Sequence, residues 1–272
     1  MILFPNCKIN LGLHILRKRE DGFHDLETIF YPLAWHDALE IIENPSSQSD
    51  VEFSSSGLTV AVTGSDNICV KAYQLLKKDF LQLAPVKMHL HKSIPIGAGL
   101  GGGSSDGAFA LMLLNKKFNL GISEKRLLTY ALQLGSDCPF FIKNIPCHAS
   151  GRGEILDEMP IDLSTYRFVL VNPSIHINTG WAFSQINLSP NNRSVKEIVQ
   201  LPVENWKDYL TNDFEEAVFS HHPEVKACKI TLYELGALYV SMTGSGSTIY
   251  GIFPKGAEVK TDFPPHYFVK II

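Results

Sequence analysis

Apolar residues fill the odd positions from 7 to 15 of the chain, so this stretch has the two-residue period of a β-strand. The even positions between them carry polar or small residues: Lys8, Asn10, Gly12 and His14. The turn signal Asp21-Gly22 then precedes a second alternating stretch at 26–30. These two stretches predict a β-hairpin.

The rest of the first half mixes strands and helices. Strands are predicted near 37–43 and 51–62 with a polar loop at 44–50, and an alternating strand covers 86–91. Helices are predicted at 68–80 with Asp66 as a cap, at 106–115 with Ser104 or Ser105 as the N-cap, and at 123–134 with Gly135 at C′.

The second half shows the same mixture. The pattern predicts strands at 168–172, 238–242, 248–253 and 267–272, helices near 195–200, 205–220 and 223–235, and a loop at 188–194. Strand pairs joined by hairpins, together with helices, favour an α+β fold. We predict an N-terminal domain at 1–155 and a C-terminal domain at 156–272.

Composition limits the possible function classes. The chain has 272 residues, 45% of them apolar, and a net charge of −4, which is ordinary for a globular protein. No long basic block points to nucleic acid, and no apolar run is long enough to span a membrane. Five widely spaced cysteines lack a Cys-x-x-Cys pair, so we expect reduced thiols, no zinc site and a cytoplasmic location; no signal peptide is evident.

A glycine-rich run lies between the strand at 86–91 and the next helix. Glycine allows a close backbone approach to a ligand, and free N–H groups at a helix N-terminus favour an anion, so the run predicts a phosphate cradle. The alternative is a flexible turn. The predicted phosphate-binding residues are Pro95, Ile96, Gly97, Ala98, Gly99, Leu100, Gly101, Gly102, Gly103, Ser104 and Ser105.

Two common phosphate-binding motifs fit this run poorly. No lysine follows the glycines, so the run is not a Walker A loop. The spacing of Gly97, Gly99 and Gly102 satisfies the dinucleotide pattern. That pattern also expects an acidic residue about 20 residues further on, at the end of a second strand. Glu124 is at this distance, but it lies at the start of a predicted helix.

Three segments in order resemble the motifs of the GHMP kinases, the family of galactokinase, homoserine kinase, mevalonate kinase and phosphomevalonate kinase. They are Pro5-Asn6-Cys7-Lys8-Ile9-Asn10-Leu11, the glycine-rich run itself, and Met242-Thr243-Gly244-Ser245-Gly246-Ser247. Leu134-Gly135-Ser136-Asp137-Cys138-Pro139 matches a further family segment. The first motif departs from many family members because Pro5 stands three positions before Lys8.

The resemblance implies an N-terminal domain like ribosomal protein S5 domain 2, followed by a C-terminal α/β sandwich. It also implies that the glycine-rich run binds ATP, with Mg²⁺ as a cofactor, and that Lys8 and Asp137 are the catalytic pair. Asp137 would accept or orient the proton of the acceptor hydroxyl, and Lys8 would keep Asp137 ionised. Alone, Lys8 could be a solvated lysine and Asp137 a turn residue. Asp106 could suit the helix dipole, act as a cap, or meet a phosphate through Mg²⁺.

Other residues resemble a branch of the family that acts on a cytidine diphosphate derivative of methylerythritol. Phe23 and Phe183 would sandwich the cytosine, and His24 would recognise its edge. Asn10 would contact the substrate near the reacting hydroxyl, with Thr179 and Gly244 as further substrate-binding residues. Phe23 stands where tyrosine is common, and both rings could instead be core residues.

This branch phosphorylates the 2-hydroxyl of 4-(cytidine 5′-diphospho)-2-C-methyl-D-erythritol in the non-mevalonate route to isoprenoid precursors. The alternatives are another small-molecule kinase of the family, a diphosphomevalonate-type decarboxylase, or a non-enzymatic sensor. The oligomeric state is open, and the expected partner is the small-molecule substrate, not nucleic acid or a membrane.

Overall fold

The computed structural model describes residues 1–60, 64–186, 188 and 193–272. The strands are β1 (Ile2–Leu3), β2 (Asn6–Lys18), β3 (His24–His36), β4 (Ala38–Glu43), β5 (Val51–Gly57), β6 (Val86–Lys92), β7 (Cys147–Ser150), β8 (Ile155–Glu158), β9 (Tyr166–Asn172), β10 (Tyr239–Met242), β11 (Ile249–Pro254) and β12 (Phe268–Ile271). The α-helices are α1 (Ile68–Asp79), α2 (Gly102–Lys117), α3 (Glu124–Leu134), α4 (Cys138–Lys143), α5 (Thr179–Ser184), α6 (Val195–Ile198), α7 (Glu215–His221) and α8 (Pro223–Glu234). Two 3₁₀ helices cover Gly64–Asp66 and Val203–Asp208.

Residue contacts divide the chain into two units. The first unit consists of Met1–Cys7, Ala34–Ile96 and Gly101–Ile145. Its sheet has the order β1-β4-β6-β5, in which β5 is parallel to β6 and the other neighbours are antiparallel. The apolar faces of β4 and β6 and of helices α1 and α2 are buried, because their alternating and helical patterns each leave one face for the core.

The second unit consists of Lys8–Leu33, Gly97–Leu100 and Pro146–Ile272. One sheet has the order β2-β3-β7-β8 and the other has the order β10-β11-β9-β12. A core of side chains from β2, β9 and β11 packs against α7 and α8, and it includes the buried Phe214 and Leu232. Each unit therefore combines sheet and helix, and the predicted α+β fold is confirmed. The boundary at 155 stays a prediction.

Both faces of the first half of β2 are buried, which the alternating pattern does not show. Lys8 is 3% exposed, and Asn10 and His14 are 2% exposed. The interpretation of Lys8 as a solvated lysine is therefore wrong. Lysine is almost never fully buried without a partner, and the Lys8 ammonium has hydrogen-bond acceptors in Asn10 and Gly99.

Three predicted helix ends differ from the structure. Asn67, not Asp66, caps α1, and its side chain accepts a hydrogen bond from the N–H of Cys69 at 2.9 Å. The N-cap of α2 is Gly101, so Ser104 and Ser105 lie inside the first turn instead of before it. Gly135 ends α3, but its φ of 170° is extended and not left-handed.

Two predicted elements are shorter than expected. The helix predicted at 205–220 is a 3₁₀ helix to Asp208, then an irregular stretch, then α7. The helix is interrupted because the backbone groups of Thr211 and Asp213 hydrogen-bond to the backbone of Leu13 in β2. The strand predicted at 51–62 ends at Gly57, and residues 61–62 of that prediction lie outside the described residues. The loop predicted at 188–194 falls partly on 189–192, outside the described residues. No helix in the described part of the chain is long and apolar enough to cross a membrane.

Candidate active site

The glycine-rich run turns directly into helix α2. Gly101 adopts a left-handed conformation with φ of 69°, and no side chain caps the helix that begins at Gly102. The first N–H groups of a helix have no partner within the helix, so this end can donate hydrogen bonds to an anion. Gly103 is exposed and Ser104 is partly exposed, whereas Ser105 is fully buried. Backbone groups and Ser104 are thus the accessible donors of the first turn.

The middle of the run, in the second unit, packs tightly against the turn between β10 and β11. A side chain at Gly99 would collide with the carbonyl oxygen of Thr243, and the positive φ of 77° at Gly99 also favours glycine. A side chain at Gly244 would lie 3.2 Å from Gly99 Cα. Glycine at positions 99 and 244 therefore allows this close backbone approach.

Lys8 binds the same part of the run. Its backbone N–H donates to Leu100 O at 3.0 Å, and its Nζ donates to Gly99 O at 3.2 Å. The Nζ also donates to Asn10 Oδ1 at 2.6 Å and lies 4.9 Å from the centre of the Phe30 ring. The buried ammonium is thereby held at a carbonyl of the predicted phosphate loop.

Asn10 is held from several directions. Its Nδ2 donates to Thr28 Oγ1 at 3.0 Å, and its backbone N–H donates to Thr243 Oγ1 at 3.1 Å. Its carbonyl accepts from the Tyr250 hydroxyl at 2.8 Å. The side-chain oxygen that faces Lys8 is therefore set in one orientation.

Asp137 lies in the first unit, at the residue that precedes α4, and is partly buried. The next residue, Cys138, is buried, and its thiol is hydrogen-bonded to Ser104. Burial raises the pKa of Cys138 to about 12, so this thiol stays protonated. The bond connects the Asp137 turn to the first turn of α2.

The predicted substrate-binding rings, Phe23, His24 and Phe183, form two separate contacts in the second unit. The rings of His24 and Phe183 are stacked with centres 4.8 Å apart and an angle of 13° between their planes. Phe23 is 54% exposed, and the guanidinium of Arg152 lies 4.9 Å from its ring centre. His24 and Phe183 thus come together, while a pairing of Phe23 with Phe183 across a base stays a prediction.

Gly244 lies in the turn between β10 and β11, and Thr179 lies beside this turn in the same unit. The hydroxyl of Thr179 is 3.0 Å from that of Ser245, and the side chain of Asn212 donates to Gly244 O at 2.9 Å. Asn212 also donates to Met242 O at 2.8 Å, so one buried amide braces both ends of this part of the turn.

Asp106 is neither a helix cap nor an exposed carboxylate. It is buried, and its Oδ2 accepts a hydrogen bond from Lys92 Nζ at 2.6 Å. Lys92 also donates to Asp37 Oδ2 at 2.5 Å. Asp106 is therefore already paired with a cation of the protein, which weakens the expectation that it meets a nucleotide through Mg²⁺.

Two family models match separate parts of the chain. The family model described as GHMP kinases N terminal domain matches residues 67–144, and that for GHMP kinases C terminal matches residues 193–263. The chain belongs to the GHMP kinase family. The N-terminal match contains the whole glycine-rich run and Asp137, and the C-terminal match contains the turn at Thr243 and Gly244.

Individual relatives of this GHMP kinase cover nearly its whole length. A Bacteroides thetaiotaomicron protein named 4-diphosphocytidyl-2-C-methyl-D-erythritol kinase is 48% identical over 269 residues, covering 98% of each chain. A Bacteroides fragilis protein of the same name is 50% identical over 265 residues, covering 97% of this chain and 96% of that protein. The crystal structure of a 4-(cytidine 5′-diphospho)-2C-methyl-D-erythritol kinase matches with a TM-score of 0.80 and 30% identity, covering 93% of this chain and 90% of that one. The predicted two-domain GHMP kinase fold is confirmed.

Sequence reasoning did not name several residues that build this site. Thr243 lies inside a family motif and Thr28 inside the second alternating stretch, and their hydroxyls are hydrogen-bonded to Asn10. Arg152, which contacts the Phe23 ring, follows Gly151 in a turn without a recognised motif. His176 lies against Gly97, because a side chain added at Gly97 would come within 3.0 Å of the Nδ1 of His176. No local pattern marks these last two residues.

Proposed function

We propose that this GHMP kinase transfers the γ-phosphoryl group of ATP to the 2-hydroxyl of 4-(cytidine 5′-diphospho)-2-C-methyl-D-erythritol. The observation that carries this proposal is the contact between the buried Lys8 ammonium and the carbonyl of Gly99 at 3.2 Å. A buried cation that binds the glycine-rich loop supplies the positive charge that phosphoryl transfer requires.

The triphosphate of ATP would lie at the N-terminus of α2. Its oxygens would accept hydrogen bonds from the uncapped N–H groups of the first turn and from Ser104. The open space at Gly103, where an added side chain would meet no atom within 4 Å, leaves room for this approach. In this arrangement the loop binds the phosphates through backbone groups, which explains why no Walker lysine follows the glycines.

The catalytic roles of Lys8 and Asp137 come from the family resemblance. Asp137 would accept the proton of the acceptor hydroxyl or orient that hydroxyl, and Lys8 would stabilise the charge that develops on the hydroxyl oxygen. Asn10 would hold Lys8 in place, because its Oδ1 accepts from the ammonium at 2.6 Å. Positioning and charge neutralisation account for most of the rate enhancement in this reaction class.

Mg²⁺ would be held mainly by ATP itself. Within the described ranges, no three His, Cys, Asp or Glu side chains cluster in a way that could bind a metal ion. Mg²⁺ usually keeps several waters and is bound by substrate phosphates with only one or two carboxylates from the protein, so a cluster of three protein ligands is not required. The ion would neutralise charge on the phosphates, and Ser104 is the accessible hydroxyl nearest the start of α2.

The cytidine end of the acceptor would bind near His24 and Phe183. Phe183 is supported from the side by Phe214, whose ring centre is 4.9 Å away at an angle of 84°. Burial lowers the pKa of His24, so at neutral pH its ring is uncharged and can exchange hydrogen bonds with a base edge. Phe23 offers an exposed ring for stacking.

We also propose a cytoplasmic location, because all five cysteines are buried free thiols and a reducing compartment keeps thiols in this state.

The test is acceptor-dependent ADP release from Mg-ATP by the purified protein. The acceptors are the cytidylated methylerythritol, mevalonate, homoserine and galactose. Release with the cytidylated acceptor alone is the expected result. Release with only one of the other three would keep the kinase activity and discard the cytidine site, and ATP binding without any release would contradict the proposed reaction.

A further inference from the structure

A buried group of three charged side chains lies in the first unit. Lys92, the last residue of β6, donates to Asp37 Oδ2 at 2.5 Å and to Asp106 Oδ2 at 2.6 Å. The three side chains are between 0% and 3% exposed. We call these three residues the acidic clamp.

Asp37 connects the acidic clamp to the start of the glycine-rich run. Its second carboxylate oxygen, Oδ1, accepts hydrogen bonds from the N–H groups of Ser93 at 2.6 Å and Ile94 at 2.9 Å. These two residues lead directly from β6 into Pro95. The backbone of Asp37 is itself held, because its N–H donates to Pro5 O at 2.8 Å.

Asp106 connects the acidic clamp to the other end of the run. It lies in α2, one turn beyond Gly102. A side chain at Gly102 would lie 3.1 Å from Lys92 Nζ and 3.1 Å from a methyl carbon of Ile94. The ammonium of Lys92 is therefore packed against the first turn of α2.

Stability alone does not explain such a group. Removing three charges from water costs several kcal/mol per ion, and well-packed apolar side chains often stabilise a fold equally well. The clamp also carries one more carboxylate than ammonium groups, and Asp106 Oδ1 has no hydrogen-bond partner within the described residues. Unlike apolar groups, these charged side chains form directional hydrogen bonds, and each bond fixes the orientation of the groups that it joins.

We propose that Asp37, Lys92 and Asp106 are positioning residues that fix the two ends of the glycine-rich loop in the geometry that binds the ATP phosphates. The inference rests on the proposed function, in which this loop is the phosphate site. The clamp touches neither nucleotide nor acceptor. It acts by holding the N–H groups of residues 102–105 ready before the nucleotide arrives.

The test compares Lys92→Met and the double variant Lys92→Met/Asp106→Leu with the wild-type protein. Lys92→Met alone leaves two buried carboxylates without their ammonium. The double variant removes one of the two, and Asp37 keeps its hydrogen bonds from the N–H groups of Ser93 and Ile94, so the double variant restores the wild-type net charge of the clamp while the Lys92–Asp106 link is lost. Asp79→Asn is the control, because Asp79 pairs with Arg126 in the same unit but on the exposed surface. The measurements are the melting temperature, the Kd of ADP without acceptor, and the KM of each substrate.

We expect the double variant to keep a melting temperature close to that of the wild type. Its Kd for ADP and KM for ATP should both rise about tenfold or more, since small misplacements of binding groups are costly. The KM of the acceptor should change less than about twofold, because the clamp acts on the loop that binds ATP. General damage to the fold would instead raise the KM of both substrates. Amide hydrogens of residues 101–105 should exchange faster than in the wild type.

Wild-type affinity for ADP and ATP in a well-folded double variant would refute the positioning role of the acidic clamp. Equal increases in both KM values would also overturn it, since they would indicate a merely structural role. If the wild-type protein binds ADP but does not use the cytidylated acceptor, the proposed function fails, and the ADP and exchange measurements still decide the clamp.

Discussion

Lys8 and Thr243 hydrogen-bond the same two oxygen atoms, Asn10 Oδ1 and Gly99 O. The ammonium has three hydrogens and can serve both oxygens at once, whereas the hydroxyl has one hydrogen and serves one at a time. Thr243 also accepts from the N–H of Asn10 at 3.1 Å. One buried hydroxyl thus connects the lysine-bearing strand with the glycine-rich loop.

Thr243→Val should lower both stability and turnover. Valine has the shape of threonine but leaves the buried N–H of Asn10 without its acceptor, which costs about 1–3 kcal/mol. Urea unfolding measures this loss, and steady-state kinetics should show a lower kcat as Lys8 loses its fixed surroundings. Thr243→Ser keeps the hydroxyl and should stay close to wild type. If valine and serine behave alike, the hydroxyl has no such role.

Lys8→Met and Asp137→Asn should each lower kcat strongly. Removal of a group that takes part in proton transfer or charge stabilisation typically costs about 10²–10⁴-fold. Steady-state kinetics at saturating ATP and acceptor measure the effect. Lys255→Met is the control, because Lys255 also donates to a backbone carbonyl, that of Ser164, but on the surface. Near-normal turnover in either site variant would refute its catalytic assignment.

Gly99→Ala should impair ATP binding far more than Gly121→Ala. Both glycines have a positive φ, so alanine strains the backbone at either position by a similar amount. Only at Gly99 would the added carbon also collide with Thr243 O, while Gly121 faces open space. Calorimetric titration with ADP compares the two variants. Equal losses of affinity would show that the close approach is unimportant.

Phe183→Leu should raise the KM of the cytidylated acceptor and leave that of ATP nearly unchanged. Stacking of a base on an aromatic ring contributes about 1–3 kcal/mol, so the KM should rise about fivefold or more. Tyr209→Leu, at an exposed ring of the same unit, is the control. An unchanged acceptor KM would remove Phe183 from the base site.

The acidic clamp should make stability depend on pH. Burial raises the pKa of Asp106 from 3.8 to about 7, although the ammonium of Lys92 opposes this shift. Between these values the folded protein holds a proton that the unfolded chain has lost, so the unfolding free energy falls as pH rises from about 4 to about 7 and then levels off. The ammonium of Lys92 and the thiol of Cys69, which both face Asp106, do not cancel this trend, since the pKa of each is raised and neither titrates in this window.

Urea unfolding of the wild type and Asp106→Asn over this pH range measures the trend. The stability of the wild type relative to the variant should decline from pH 4 to pH 7, because asparagine does not titrate. Asp79→Asn should not reproduce the decline, since hydrogen bonds from Tyr130 and Arg126 lower the pKa of Asp79. A difference that rises with pH would contradict the assignment to Asp106.

Alternation and turn residues predicted most of the strands, and three motifs predicted the family. The burial of Lys8 could not be predicted, because a two-residue period shows that two faces differ and not that both are covered. The start of α2 was misplaced because serine is a common cap, whereas here the left-handed Gly101 takes that position and leaves the helix end uncapped.

The acidic clamp was missed for a different reason. Asp37, Lys92 and Asp106 lie far apart along the chain, and each has an ordinary local interpretation as a turn residue, a strand lysine or a helix-dipole aspartate. Only the tertiary packing of β4, β6 and α2 brings them together. Long-range pairs of this kind have no signature in a single sequence.

The most direct measurement follows the phosphoryl group itself. The protein is incubated with ATP carrying an isotopic label in its γ-phosphate and with the cytidylated methylerythritol, and both products are analysed by mass spectrometry and phosphorus NMR. We predict that the acceptor gains one labelled phosphoryl group on its 2-hydroxyl and that Lys8→Met nearly abolishes this transfer. Label found only in inorganic phosphate, or an acceptor of unchanged mass, would contradict the proposed reaction.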